Sequence, residues 1–237
     1  MGGGGLFPSP CFCLQGETMV KGVLFDMDGT MFDTEPVSER CWKKAATDFG
    51  YEISDELMNS LFGKNLLSIK QMIRQALEID EEVERITERR YEYYRKFLLE
   101  DEIPKKEGLM EILEYLKEHS IPAAVCTSTE KETAEIALKR SGVYEYFTGF
   151  VYGDMVEKSK PDPQGFHKAA QLIGVTPETC LVIEDSSNGV LAGKAAGGFV
   201  IYIPDVVDVS ETVKEGITLE AKNLTQVIGW LEKMNAI

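Results

Sequence analysis

Val23-Leu24-Phe25 is a short apolar run that ends abruptly in two carboxylates, Asp26 and Asp28, with Gly29 following at once. Such a run reads as a buried strand, and the glycine lets the backbone turn sharply where the strand stops. In open α/β sheets, ligands bind just beyond the carboxyl ends of strands. Two acids placed there repel each other and need a cation or a shared proton to relieve the repulsion. An ordinary Asx-Gly turn would account for the same residues without any chemistry. The rest of the chain therefore has to supply the partners.

The chain of 237 residues is long enough for one large domain or two small ones. A formal net charge of −15 disfavours nucleic acid and anionic membrane as partners. It leaves phosphate-bearing small molecules open, because a local metal or lysine can invert the field at one site. No apolar stretch approaches the roughly 20 residues that a membrane span requires. The five cysteines, Cys11, Cys13, Cys41, Cys126 and Cys180, form no metal-ligand or disulfide pattern. Cys126 and Cys180 stand inside apolar runs, and a reducing cytoplasm suits them. His119 and His167 have no ligand-like neighbours in the sequence.

Residues 1–18 read as a disordered or irregular extension, with a glycine run, Pro8 and Pro10, and no pattern of a signal peptide. Beyond Phe32 the periodicity is helical as far as about Glu107. Pro36 suits the first turn of a helix ending near Gly50, and Ser54 caps a second that Gly63 closes. A third helix spans about Leu67–Glu78 and a fourth about Glu81–Leu99. Four amphipathic helices without a strand between them make a small bundle. From Gly108 onward helices and strands alternate, with strands at Ile121–Thr127, Phe147–Tyr152, Cys180–Glu184 and Phe199–Ile203. Thr129-Glu130-Lys131-Glu132 has the form of a capping box. The pattern predicts an α/β protein: a Rossmann-like, three-layer parallel sheet with an inserted four-helix bundle. The expected boundaries are 19–34 and 108–237 for the core and 35–107 for the insertion.

Two later strands also end in polar clusters. Ala123–Cys126 leads into Thr127-Ser128-Thr129, hydroxyls at a helix start that suit a phosphate oxygen, although an ordinary N-cap has the same residues. Leu181-Val182-Ile183 leads into a second acid pair, Glu184-Asp185. Between them stands Lys160-Pro161, which alone would pass for a solvated loop lysine. Taken together these parts suit phosphoryl transfer. Asp26, Asp28 and Asp185 offer hard oxygen ligands for Mg²⁺. An aspartate beside that ion can attack phosphorus, and Lys160 can neutralise the equatorial oxygens.

Asp26-x-Asp28-Gly29-Thr30, Thr127-Ser128, Lys160-Pro161 and Glu184-Asp185, in this order, resemble the four motifs of the haloacid dehalogenase superfamily of phosphohydrolases. The helical insertion resembles that superfamily's α-helical cap, and the likeness covers essentially residues 20–237. It implies Asp26 as nucleophile and Asp28 as general acid/base. It implies Mg²⁺ held by Asp26, the Asp28 backbone carbonyl and Asp185, with Glu184 contributing through water. Thr127, Ser128 and Lys160 would bind the phosphoryl group. Dehalogenase and phosphonatase relatives lack an acid at the position of Asp28, so phosphate-ester chemistry is favoured, where proton donation to the leaving group is worth roughly 10²–10⁴-fold.

Asp33-Thr34-Glu35 and Gly63 match the β-phosphoglucomutase-like subgroup, which also holds sugar-phosphate and nucleotide-type phosphatases. Ser38 and Leu66 stand where the mutase carries a histidine and an arginine, which favours a phosphatase over a mutase. Lys64 and Asn65, on the loop after Gly63, are the expected substrate contacts from the cap, although a helix stop with a solvated lysine explains them equally. A phosphoacceptor signalling receiver uses similar groups, but its motif order is reversed and it has no helical insertion. The expectation is a monomeric, cytoplasmic, Mg²⁺-dependent phosphatase of a small phosphate ester, a sugar phosphate or nucleotide-like monophosphate, acting through an aspartyl-phosphate.

Overall fold

A computed structural model describes residues 20–62, 64 and 66–235. The expectations for the extension 1–18, for Met19, for Cys11 and Cys13, and for Gly63 and Asn65 lie outside the described residues. Among the described residues, six parallel strands form one sheet in the order β3-β2-β1-β4-β5-β6. They are β1 (Gly22–Phe25), β2 (Ala123–Cys126), β3 (Gly149–Val151), β4 (Cys180–Glu184), β5 (Phe199–Tyr202) and β6 (Leu219–Glu220). The chain builds outward from β1 through β2 and β3, returns to lay β4 against the other side of β1, and builds outward again. That reversal opens a crevice at the carboxyl ends of β1 and β4. Register brings the strand ends level, with Phe25 opposite both Ile183 and Val125.

Burial on both faces explains why β1 and β4 are apolar throughout rather than alternating. On one face Val23, Phe25, Val125, Leu181 and Ile183 pack against α5 (Leu109–Glu118), α6 (Lys131–Arg140) and α10 (Leu224–Asn235). On the other, Leu24, Ala124, Cys126 and Val182 meet α7 (Gln164–Leu172) and α8 (Ser187–Ala196). Cys41, Cys126 and Cys180 are buried free thiols.

Between β1 and α5 run α1 (Glu35–Asp48), α2 (Asp55–Leu61), α3 (Leu66–Leu77) and α4 (Glu82–Glu100). They share a separate apolar cluster of Trp42, Ala45, Met58, Leu61, Ile73, Val83 and Ile86. The two strands of chain that join these helices to the sheet are bonded to each other. Asp33 N–H donates to the Pro104 carbonyl and Lys106 N–H to the Met31 carbonyl, both at 2.9 Å.

Three local features differ from the sequence reading. Thr129 caps nothing: Glu130 stands at the N-cap of α6 without a side-chain bond, and the Thr129 hydroxyl turns instead to Asp28. The apolar residues predict α8 only over Val190–Ala196, whereas it begins at Ser187, because the Ser186 hydroxyl accepts the Gly189 N–H at 3.0 Å. A one-turn helix, α9 (Glu211–Lys214), and the two-residue β6 are too short to leave a periodic signal.

Leu24 is fully buried in the central strand, whereas Leu67 is 77% exposed. Leu24→Ala is expected to cost about 2–5 kcal/mol in urea unfolding, and Leu67→Ala less than about 0.5 kcal/mol.

Candidate active site

Asp26 and Asp28 leave β1 on the same side, with Met27 between them fully buried. Gly29 then adopts φ +84°, and a Cβ there would stand 2.3 Å from Asp185 Oδ2. No other residue satisfies both the backbone angle and the contact. The turn thus closes β1 against the end of β4, where the Thr30 hydroxyl donates to Asp185 Oδ1 at 2.8 Å.

Lys160 reaches this point from the loop before α7, and its side chain is only 9% exposed. Its ammonium donates to Asp26 Oδ1 and Glu184 Oε1, each at 2.5 Å, and to the Cys126 carbonyl at 2.8 Å. Glu184 is fully buried, and its other oxygen accepts the Asp185 and Ser186 N–H groups at 3.1 and 3.2 Å. A Cβ at Gly189 would fall 1.8 Å from that carboxyl group, so the first turn of α8 can approach it only with glycine there.

Burial, opposed by Lys160 and reinforced by Glu184, pushes Asp26 up to about 8. Burial, then the charges of Asp26 and Glu184, drive Asp185 well above the usual carboxylate range. Burial alone would lower Lys160, but Asp26 and Glu184 outweigh it and hold the ammonium charged. Fully ionised, the three carboxylates would carry more negative charge than one lysine neutralises, and Asp26 and Asp185 retain protons instead.

Asp28 has a different environment. Thr34 and Tyr94 hydroxyls donate to its Oδ1 at 2.8 and 3.3 Å, and the Thr129 hydroxyl donates to Oδ2 at 2.7 Å. These come from the joint before α1, from α4 and from the end of β2. The Thr127 hydroxyl, buried beside them, accepts the Thr129 N–H at 3.0 Å. Ser128 follows, and its carbonyl lies 2.1 Å from where a Gly153 Cβ would be.

These groups open into one cavity of about 280 Å³ that also touches α1 to α4. Asp26, Asp28, Thr127, Ser128, Lys160 and Asp185 all line it, while Glu184 lies behind Lys160. Lys64 lines it too, from the helical side. Arg90 was not foreseen: it lines the same wall, donates to the Ser38 hydroxyl at 2.9 Å and lies 4.6 Å from the centre of the Tyr94 ring. Burial, then Asp28 and Asp205, lift the neighbouring Glu35 to about 7. Nothing in the pattern of α4 sets Arg90 apart, because it stands in a run of charged residues typical of a solvated helix face.

Ligand atoms of Asp26, Glu184 and Asp185 lie within 4.8 Å of one another. An all-oxygen, all-carboxylate set with excess negative charge suits a hard divalent cation such as Mg²⁺, which takes one or two carboxylates and keeps several waters.

The fold and site define a doubly wound α/β protein with an acidic centre at its switch point. Residues 20–197 match the haloacid dehalogenase-like hydrolases, and the chain belongs to that family. It is 33% identical over 183 residues to a phosphorylated carbohydrates phosphatase of Thermotoga maritima, covering 77% of this chain and 84% of the relative. It is 33% identical over 176 residues to the fructose-1-phosphate phosphatase YqaB of Escherichia coli, covering 74% and 92%. Among solved structures, CbbY from Rhodobacter sphaeroides in complex with phosphate superposes with a TM-score of 0.76 at 25% identity, covering 88% of this chain and 96% of that one. No helix of the described residues is long and apolar enough to cross a membrane.

The raised value of Asp26 has a thermal consequence. In the folded state the acid keeps its proton up to about 8, whereas in the unfolded chain it loses it near 3.8, so its contribution to stability is lost as pH rises through 8. In EDTA, the Tm is expected to fall between about pH 5.5 and about pH 8.5, and the fall should be shallower in Asp26→Asn. Added Mg²⁺ should raise the Tm most at the alkaline end. Differential scanning calorimetry at matched ionic strength checks both.

Proposed function

We propose that this protein is a Mg²⁺-dependent phosphatase of phosphorylated sugars that works through a covalent phosphate on Asp26. The observation that carries the reading is the division of labour at the end of β1. Asp26 is tied to Lys160 beside the acidic cluster, whereas Asp28 is held by three hydroxyls. The names of the relatives in Thermotoga maritima and Escherichia coli support the sugar-phosphate class.

Asp26, the Asp28 backbone carbonyl and Asp185 are the proposed metal ligands, with Glu184 acting through water. When bound, the ion offsets charge on the transferring phosphoryl oxygens. Asp26 attacks phosphorus and forms the acyl phosphate while the sugar oxygen leaves. Asp28 gives that oxygen a proton and then takes one from the water that hydrolyses the acyl phosphate. Hydroxyl rotors suit this exchange, because Thr34, Thr129 and Tyr94 can donate to a carboxylate and turn to accept from a carboxylic acid. Lys160, Thr127 and Ser128 hold the phosphoryl oxygens. We assign residues 35–107 to a cap that excludes water and carries the substrate contacts, Lys64 and Arg90 among them, over a core of 19–34 and 108–237. The buried thiols suit a reducing cytoplasm.

Release of inorganic phosphate from a panel of sugar phosphates tests the reading, with activity expected in Mg²⁺ and lost in EDTA. Asp26→Asn should abolish it, and a variant that keeps its rate on the best substrate would refute the nucleophile. Tyr94→Phe removes one hydrogen bond to Asp28 and should lower kcat by roughly 10-fold, with KM changed far less. Arg90→Ala, by contrast, should raise KM for sugar phosphates while leaving kcat on a small aryl phosphate nearly unchanged.

One observation favours a second reading, a β-phosphoglucomutase-type mutase. Lys64 and Arg90 put two cations on the wall away from Asp26, where a second phosphate of a bisphosphate intermediate would need them. Incubation with β-glucose 1-phosphate and catalytic glucose 1,6-bisphosphate separates the two. Glucose 6-phosphate without free phosphate would mark the mutase.

A further inference from the structure

Asp205 follows the end of β5, one strand beyond the acid pair of β4. Its side chain is only 9% exposed. Oδ1 is taken by the Lys106 ammonium, while Oδ2 is buried and has no hydrogen-bond partner among the described residues. The free oxygen is aimed at the acidic centre: a Cβ on Gly29 would lie 2.9 Å from Asp205 Oδ2 and 2.3 Å from Asp185 Oδ2. Two carboxylate oxygens thus face each other across the space that a side chain at residue 29 would fill. An unpaired buried acceptor of this kind is costly, and it calls for a donor in that space. A cavity of about 200 Å³, lined by Asp185, Ser186, Lys64 and Asp205, adjoins it and has room for water.

Asp205 stands outside the set of three carboxylates whose ligand atoms come within 4.8 Å of one another. It is placed to act on a cation through water rather than directly. We propose that Asp205 is a positioning residue for the metal, accepting a hydrogen bond from a metal-bound water on the side of Asp185. A water on a divalent cation is a strong donor, and carboxylates just outside the ligand set commonly fix such waters. Lys106 holds Asp205 in place and is also 3.3 Å from Asp33, so the brace comes from the bonded pair of chain segments that leads to α1–α4. The inference rests on the assignment of the acidic cluster as the Mg²⁺ site and adds a residue that none of the four motifs contains.

Calorimetric titration of Mg²⁺ into the full-length protein, without substrate, tests it with Asp205→Ala and Asp205→Asn beside wild type and Asp185→Asn. Both Asp205 variants should bind Mg²⁺ about 10–100-fold more weakly. Their Tm in EDTA should equal or exceed that of wild type, because the buried Oδ2 charge without a donor has gone and Lys106 retains Asp33. Affinity within about twofold of wild type would overturn the proposal. So would a weakened affinity accompanied by a matching loss of Tm in EDTA, the mark of a structural role. If wild type itself binds no Mg²⁺, the metal assignment falls and this inference with it. Binding by wild type that is lost in Asp185→Asn and unchanged in the Asp205 variants removes the role of Asp205 alone.

Discussion

Lys160 is one positive charge buried between two acids, with Asp26 and Glu184 each 2.5 Å from its nitrogen. Buried charges cost several kcal/mol each to desolvate, and excellent geometry is needed to recover that. Here the sheet provides the geometry. Parallel register sets the ends of β1, β2 and β4 level, so Asp26, the Cys126 carbonyl and Glu184 converge on the same ammonium. Gly189 lets α8 close over the Glu184 carboxyl, and Gly29 lets the turn after β1 close over Asp185. Adding Asp185 leaves the fully ionised cluster short of positive charge, and burial, with the neighbouring carboxylates adding to it, raises both Asp26 and Asp185. Protons or a cation can offset that charge at the switch point.

The second acid of the pair depends on a different part of the chain. Asp28 is held by hydroxyls from the core and from the helical segment, with Thr129 on one side and Thr34 and Tyr94 on the other. Its surroundings are complete only when α4 is seated over the strand ends. Arg90, one turn before Tyr94 on the same helix, lines the cavity beside Ser38. One helix therefore carries both the cation on the cavity wall and a hydroxyl that holds Asp28.

Much of the core was legible in the sequence because burial on both faces leaves an unmistakable signature. The strands at Val23–Phe25 and Cys180–Glu184 are continuous apolar runs, and each ends in an acid pair that no ordinary turn requires. The four motifs named Asp26, Asp28, Thr127, Lys160, Glu184 and Asp185, and the fold brings these together. What escaped was decided by tertiary contact. Thr129 carries the local pattern of a capping box, yet Asp28, a hundred residues earlier, is the stronger claimant on its hydroxyl. Arg90 and Asp205 are charged residues in charged or loop surroundings, and only the packing of distant elements makes one a cavity wall and the other a buried acid. Periodicity also placed the start of α8 late, since a serine cap carries no apolar mark.

The account turns on Asp26 becoming covalently phosphorylated. Its most direct test is to quench the enzyme during turnover of fructose 1-phosphate with Mg²⁺, reduce the acyl phosphate with borohydride, and map the peptides by mass spectrometry. Conversion of Asp26 to homoserine, dependent on both substrate and Mg²⁺, is the predicted result. Phosphate release with Asp26 unmodified throughout, or with the reduced residue found at Asp28 or Asp185, would contradict it.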